Sequence, residues 1–259
     1  MPLLSITSLP RTRALQCGQI WGGIENNDAD IESDGLIASL YTRAANGVRG
    51  GDIHYLSVCK KNALTRLAIA DVVGHGEQAA EQSAWLYAGM QRYLNRRANH
   101  RILRSLSKQV YARGLQALST AGILSYFRPF RRLHYSLAGH PAPLVLRRSA
   151  GTGWQSVDQI TPLSGARLPL GARRRMPYRQ LSLGLNQGDR IFLFTDGVVE
   201  LPETVRGTRA FGLTRLVEIL NHEVDAPPAE VKKTVRTELE RFHSGPAHDD
   251  MTFLIAEVR

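Results

Sequence analysis

Three short β-type runs in this chain each carry a carboxylate at one tip. "LAIA" runs into Asp71, "IFLF" reaches Asp196 through Thr195, and "MTFLIAEV" starts behind Asp249 and Asp250. Short apolar runs bounded in this way read as strands. If the three strands are neighbours of alternating direction, all the carboxylates meet at one edge of the sheet. Carboxylates held together raise one another's pKa unless a cation offsets them. Oxygen donors without thiolates favour Mg²⁺ or Mn²⁺. The glycines beside them, Gly74, Gly76 and Gly197, allow close approach of backbone or substrate. Singly, each signal is weak: Asp-Gly is a common turn, and Asp-Asp before a strand is commonly solvated. Their conjunction is what constrains the fold.

The rest of the pattern is layered. Residues 14–23 and 36–45 read as strands, separated by the acidic, turn-like "ENNDADIESDG". Residues 53–59 and 64–70 read as a hairpin around "KKNA". A helix is expected over 77 to about 97, with Glu77 suited to the positive end of its dipole, and a second over 101 to about 117. "LHYSLAGH" and "APLVLRR" read as a hairpin across a Gly-His-Pro turn. Helices are expected at 212–222 and 228–243, before a terminal strand. Strands in hairpins and helices in pairs give an α+β fold, with antiparallel sheets covered by helices. With 259 residues, 43% hydrophobic, the chain can bury one large core; two small domains are the alternative. No repeat, low-complexity segment or linker is evident.

No apolar run approaches the ~20 residues of a membrane span. The start, "MPLLSITSLPRTRALQ", lacks the basic-then-apolar pattern of a signal peptide. Cys17 and Cys59 form no C-x-x-C, and a reducing cytoplasm is the expected compartment. The formal charge of +10 comes from clusters such as "QRYLNRRANHRILR" and "GARRRMPYR". They read either as solvated faces or as a docking surface for an acidic partner. Nucleic-acid binding is not expected, because no recognised module accompanies the charge.

Several motifs, in order, resemble the SpoIIE-like branch of the metal-dependent protein serine/threonine phosphatases, related to protein phosphatase type 2C. They are "GGD" (50–52), "ADVVGHG" (70–76), "STAGIL" (119–124), "LAGHPAPLVLR" (137–147), "LPLG" (168–171), "GDRIFLFTDGVVE" (188–200), "FG" (211–212) and "HDDMTFLIAEV" (248–258). The resemblance covers about residues 36–259. It implies a single phosphatase domain over 1–259, with a short strand segment ahead of that core and a four-layer αββα sandwich. It implies two divalent ions, Mn²⁺ or Mg²⁺. Asp71 is then the bridging ligand, the Val72 carbonyl binds one ion, and Asp196 and Asp249 bind the other. Asp52 holds water in the outer shell, and Asp250 and Gly197 support the ligands. A hydroxide between the ions attacks phosphorus in line. No G-x-S-x-G nucleophile is present, and "FTDGVV" lacks the D-x-D of an aspartyl-phosphate enzyme.

His75 is either a general acid to the leaving oxygen or a loop-shaping hydrogen-bond donor. His140 reads as structural, and His248 as a support beside the ligand pair. The motif departs from the family at Tyr55, where a second acid is common. About 35 residues ahead of the core leave no space for a sensor domain, so control would come from an upstream regulator in trans, from metal or substrate supply, or not at all. The implied substrate is a phosphorylated regulatory protein, such as an anti-sigma-factor antagonist in a bacterial partner-switching pathway. A catalytically weak homologue acting as a binding module is the alternative.

Overall fold

The structure is a computed structural model and describes residues 12–74, 76–93, 95–161, 167–204, 207–243, 245 and 249–259. His75 and His248 lie outside the described residues. The first strands are β1 (Arg13–Ala14), β2 (Ile20–Glu25), β3 (Asn27–Glu32), β4 (Leu36–Arg43), β5 (Arg49–Cys59) and β6 (Leu64–Val72). Helices α1 (Glu77–Gln91) and α2 (Asn99–Arg113) follow. Then come β7 (Ser119–Phe127), β8 (Arg132–Ala138), β9 (Leu144–Leu146), β10 (Trp154–Ser156), the short α3 (Val157–Ile160), β11 (Leu181–Gly184) and β12 (Arg190–Phe194). The chain continues through α4 (Asp196–Val199), α5 (Leu213–His222), α6 (Pro228–Phe242) and β13 (Met251–Val258).

One sheet has the order β1-β3-β4-β13-β12-β9-β10, the other β11-β8-β7-β6-β5-β2. Among the described residues, the strand pairings are antiparallel except the two-residue β1–β3 contact and an isolated parallel bridge between Ala121 and Gly139. Strand alternation distributes the apolar side chains between two faces. On β5, Leu56 and Val58 join Leu67, Leu124, Val145 and Leu254 between the sheets. Ile53 and Tyr55 point the other way, onto Leu86, Leu103 and Leu106 of α1 and α2. Phe192, Phe253, Leu216 and Val235 build a third core, beneath α5 and α6. Each fully buried side chain of this size contributes about 1.5–3 kcal/mol. The layers are therefore helices, sheet, sheet, helices, as expected.

Three local expectations fail. The acidic stretch 25–35 contains β3, because its carboxylates are taken up by α6. Lys232 Nζ meets Asp28 at 2.6 Å and Asp30 at 2.9 Å, and Arg236 meets Asp28 at 2.8 Å, while Ile31 enters the core. Tertiary ion pairing overrides the low strand propensity of Asp and Asn. The segments around the Gly-His-Pro turn do not pair as a hairpin. β8 pairs with β7 and β11, whereas β9 pairs with β10 and β12 in the opposite sheet. The chain crosses the sandwich at Gly139, whose φ of +68° suits glycine. Finally, α1 stops at Gln91 instead of near 97. The buried Arg66 guanidinium donates to the Tyr93 carbonyl (3.2 Å) and to that of Arg96, engaging oxygens that a longer helix would bond internally. The second helix ends at Arg113, before a separate turn at 115–117.

Candidate metal centre

Asp52 on β5 and Asp71 on β6 are directly opposed residues, and Thr120 on β7 lies opposite Asp71 on the other side. Like charges placed directly opposite destabilise a strand pair, so this arrangement costs energy for which packing alone gives no reason. The seven-stranded sheet brings the other carboxylates. Asp196 follows β12, and Asp249 and Asp250 precede β13, its antiparallel neighbour. The acids therefore do not share one sheet edge, as the sequence pattern implied. Both sides of β6 are taken by β5 and β7, its neighbours in sequence, so Asp71 meets the others across the sandwich.

Side chains tie the two sheets together here. Thr195 Oγ1 donates to Asp52 Oδ2 at 2.8 Å and accepts the Thr252 N–H at 3.0 Å. Thr252 Oγ1 in turn lies 2.7 Å from Thr42 Oγ1. Asp250, buried, accepts the Ala45 N–H at 2.7 Å on Oδ1 and the Gly51 N–H on Oδ2. It thus clamps the β4–β5 connection to the start of β13. Two glycines are required by contact. A Cβ on Gly197 would stand 2.0 Å from the Asp250 carbonyl oxygen, and one on Gly51 2.9 Å from the Val72 carbonyl oxygen. Asp196 Oδ1 accepts the Gly197 N–H at 3.1 Å, and the exposed Asp249 accepts the Asp250 N–H at 2.8 Å.

The electrostatics are those of a cluster short of positive charge. Burial, then Asp52, Asp196, Asp249 and Asp250, push Asp71 up to about 9. Asp52 is raised well above the usual carboxylate range, first by burial and then by Asp250 and Asp249, although hydroxyls of Thr252 and Thr195 pull it down. Among the described residues, the charged groups acting most strongly on these two are acids. The side chains stand apart: among the described residues, no three His, Cys, Asp or Glu groups close on a common point. In donor type and mutual repulsion the residues fit hard divalent cations, which would favour the ionised forms.

His140 is buried, with its imidazole pushed down to about 3 by burial, and its Nδ1 lies 2.9 Å from Thr120 Oγ1. It reaches the site through the residue opposite Asp71. Tyr55 lies on the face of β5 away from Asp52 and packs edge-on against Tyr87, with ring centroids 6.3 Å apart. An acid at 55 would face the helices. The sequence reading missed Thr195, Thr252, Thr42 and Thr120. Their signal was weak: threonine is common in strands, and only their shared strand end marks them.

Comparison with known proteins agrees with this geometry. The SpoIIE family, described as Stage II sporulation protein E, matches over residues 61–259. The phosphoserine phosphatase RsbP of Bacillus subtilis (strain 168) is 24% identical over 97% of this chain, which spans 58% of that protein's length. A crystal structure of the RsbU and RsbW domains of Rv1364c from Mycobacterium tuberculosis has the same fold, with TM-score 0.72, 21% identity, and coverage of 95% of this chain and 63% of that one. RsbX in complex with magnesium also shares it, with TM-score 0.66, 16% identity, and coverage of 90% of this chain and all of that one. The ordered motifs, the αββα layering and the match over residues 61–259 lead to one conclusion: this chain is a member of the SpoIIE family.

Proposed function

We propose that this chain is a metal-dependent phosphatase that removes phosphate from serine or threonine of a regulatory protein, in the cytoplasm and within a partner-switching circuit. The observation that carries this reading is the gathering of Asp52 and Asp71 from one sheet with Asp196, Asp249 and Asp250 from the other. The name of RsbP, a phosphoserine phosphatase, and the magnesium in the RsbX structure support the chemistry. Asp71 would hold both of two divalent ions, the Val72 carbonyl one of them, and Asp196 and Asp249 the other. When bound, Mn²⁺ or Mg²⁺ supplies Lewis acidity and a water acidic enough to attack phosphorus near neutral pH.

The chain's own groups orient the reactants. Asp52, anchored by the Thr195 hydroxyl, would accept a hydrogen bond from attacking water. Asp250 fixes the Gly51 amide and thereby the strand start that carries Asp52. His140 holds Thr120 beside Asp71. Among the described residues no helix is long and apolar enough to cross a membrane, in keeping with a phosphoprotein substrate in solution.

Phosphate release from p-nitrophenyl phosphate tests the reading. It is expected to require Mn²⁺ or Mg²⁺, to stop with a chelator and to resume on adding metal back. Full activity in metal-stripped protein would sink it.

A further inference from the structure

Two basic stretches that lie far apart in the sequence meet in one groove. Arg101, Arg104 and Lys108 are exposed at three- and four-residue spacing along α2, so they share a face. The segment carrying Arg173, Arg174 and Arg175 is pinned alongside at both ends. The Gly171 N–H donates to Ser107 Oγ at 3.1 Å, and the Tyr178 hydroxyl lies 3.2 Å from the same oxygen and 3.0 Å from the Pro169 carbonyl. Between α2 and this segment lies a groove of about 500 Å³ lined by Arg104, Lys108, Arg174, Arg175, Met176 and Pro177. Among the described residues it is lined by four cations and no carboxylate. None of the four is ion-paired with another described residue, unlike Lys232 and Arg236 on α6.

Backbone pairing ties the segment beside the groove to the strand end that carries Asp71. Leu170 pairs with Ser119, which pairs with Val72, the neighbour of Asp71. Exposed apolar side chains lie on the elements between. Tyr111 is 47% exposed and Leu115 76%, and Val73, bonded through its N–H to the Leu118 carbonyl at 3.0 Å, is 60% exposed.

We propose that this face docks an acidic segment of the phosphoprotein substrate. Its carboxylates enter the groove, and an apolar residue nearer the phosphoserine rests on Tyr111, Leu115 and Val73. The inference rests on the phosphatase reading above and names the recognition that reading lacks. Apolar contacts beside the cations fit a polypeptide better than a phosphate backbone, which is bound by charge and base stacking. Exposed ion pairs are individually weak, so four of them together give about a tenfold preference, which salt screens.

The test uses two labelled phosphoserine peptides of equal length, one with glutamates and a leucine flanking the phosphoserine, the other with glutamines replacing the glutamates. Binding is read by fluorescence anisotropy in the presence of chelator, so it does not depend on turnover. Wild type is expected to bind the acidic peptide about tenfold more tightly, with the gap closing in high salt. The variant Arg104→Gln/Lys108→Gln/Arg174→Gln/Arg175→Gln should bind both peptides alike, yet cleave p-nitrophenyl phosphate at the wild-type rate with Mn²⁺. If that variant melts early, Arg104→Gln/Arg174→Gln carries the same comparison. No peptide preference in wild type, or a preference surviving the substitutions, overturns the proposal. So does a single-stranded oligonucleotide or a phosphatidylserine vesicle that displaces the acidic peptide at equal charge. Peptide preference without any p-nitrophenyl phosphate cleavage would sink the phosphatase reading and leave the docking surface standing.

Discussion

At the strand ends, the described charged groups acting most strongly on Asp52 and Asp71 are acids; on the outer face of α2, the charged groups among the described residues lining the groove are the cations Arg104, Lys108, Arg174 and Arg175. The two regions differ in what their single sign costs. Asp52 is 3% exposed, and burial first, then the neighbouring acids, raise carboxyls there far above their ordinary range. The cations of the groove are exposed, and water screens them. The acidic edge therefore needs a counterion to ionise, whereas the basic groove only gains from one. A third region, α6, holds both signs: Lys232 and Arg236 are matched by Asp28 and Asp30, and their charge is used up in holding β3.

Breaking the acidic edge should have the largest effect. Asp71→Asn is expected to fold normally and to cut turnover about 10²–10³-fold, at ~1.4 kcal/mol per factor of ten. Isothermal titration should show weakened Mn²⁺ binding. A near wild-type rate with normal metal affinity would remove Asp71 from the centre.

Next comes the contrast between absorbed and spare cations. Lys232→Ala leaves Asp28 and Asp30 beside a lost partner and should cost about 2–3 kcal/mol in urea unfolding. Arg104→Ala should change stability by less than about 0.5 kcal/mol. Equal losses at the two positions would erase the distinction between the regions.

The smallest expected effect is a pH dependence of the metal-free protein. The folded carboxyls of Asp52 and Asp71 lie above their unfolded value of about 3.9, so the folded state binds more protons. That stability is full below about pH 4 and is lost as pH rises toward about 9. The melting temperature of metal-free protein should fall between about pH 5 and 8.5. Saturating Mn²⁺ should flatten the slope, because the cation favours the ionised forms. A metal-independent slope would assign it elsewhere.

The layers and the carboxylates were legible in the sequence because both rest on local pattern. Short apolar runs mark β5, β6, β12 and β13, and an acid at or near one end of each is visible as a letter. What stayed hidden depends on partners far along the chain. Nothing within 25–35 announces that Lys232 and Arg236 will hold that segment as a strand. The Gly-His-Pro turn reads as a hairpin, since period alone does not reveal that β8 and β9 belong to opposite sheets. Thr195 becomes part of the site only because the sandwich sets it against Asp52.

The place of β13 bears on how such a site comes into being. This strand is late in sequence yet central in its sheet, between β4 and β12. Thr252 closes onto Thr42 from 210 residues away. Contacts of such separation form slowly, because the loop entropy is lost before the contact rewards it. During synthesis, the strands carrying Asp52 and Asp71 emerge early and wait, while β4 keeps an open edge toward the strand still to come. Only when β13 slots in do the two halves of the carboxylate cluster face each other. The cluster is thus completed only once β13 is in place, and the early acids on β5 and β6 alone do not make it.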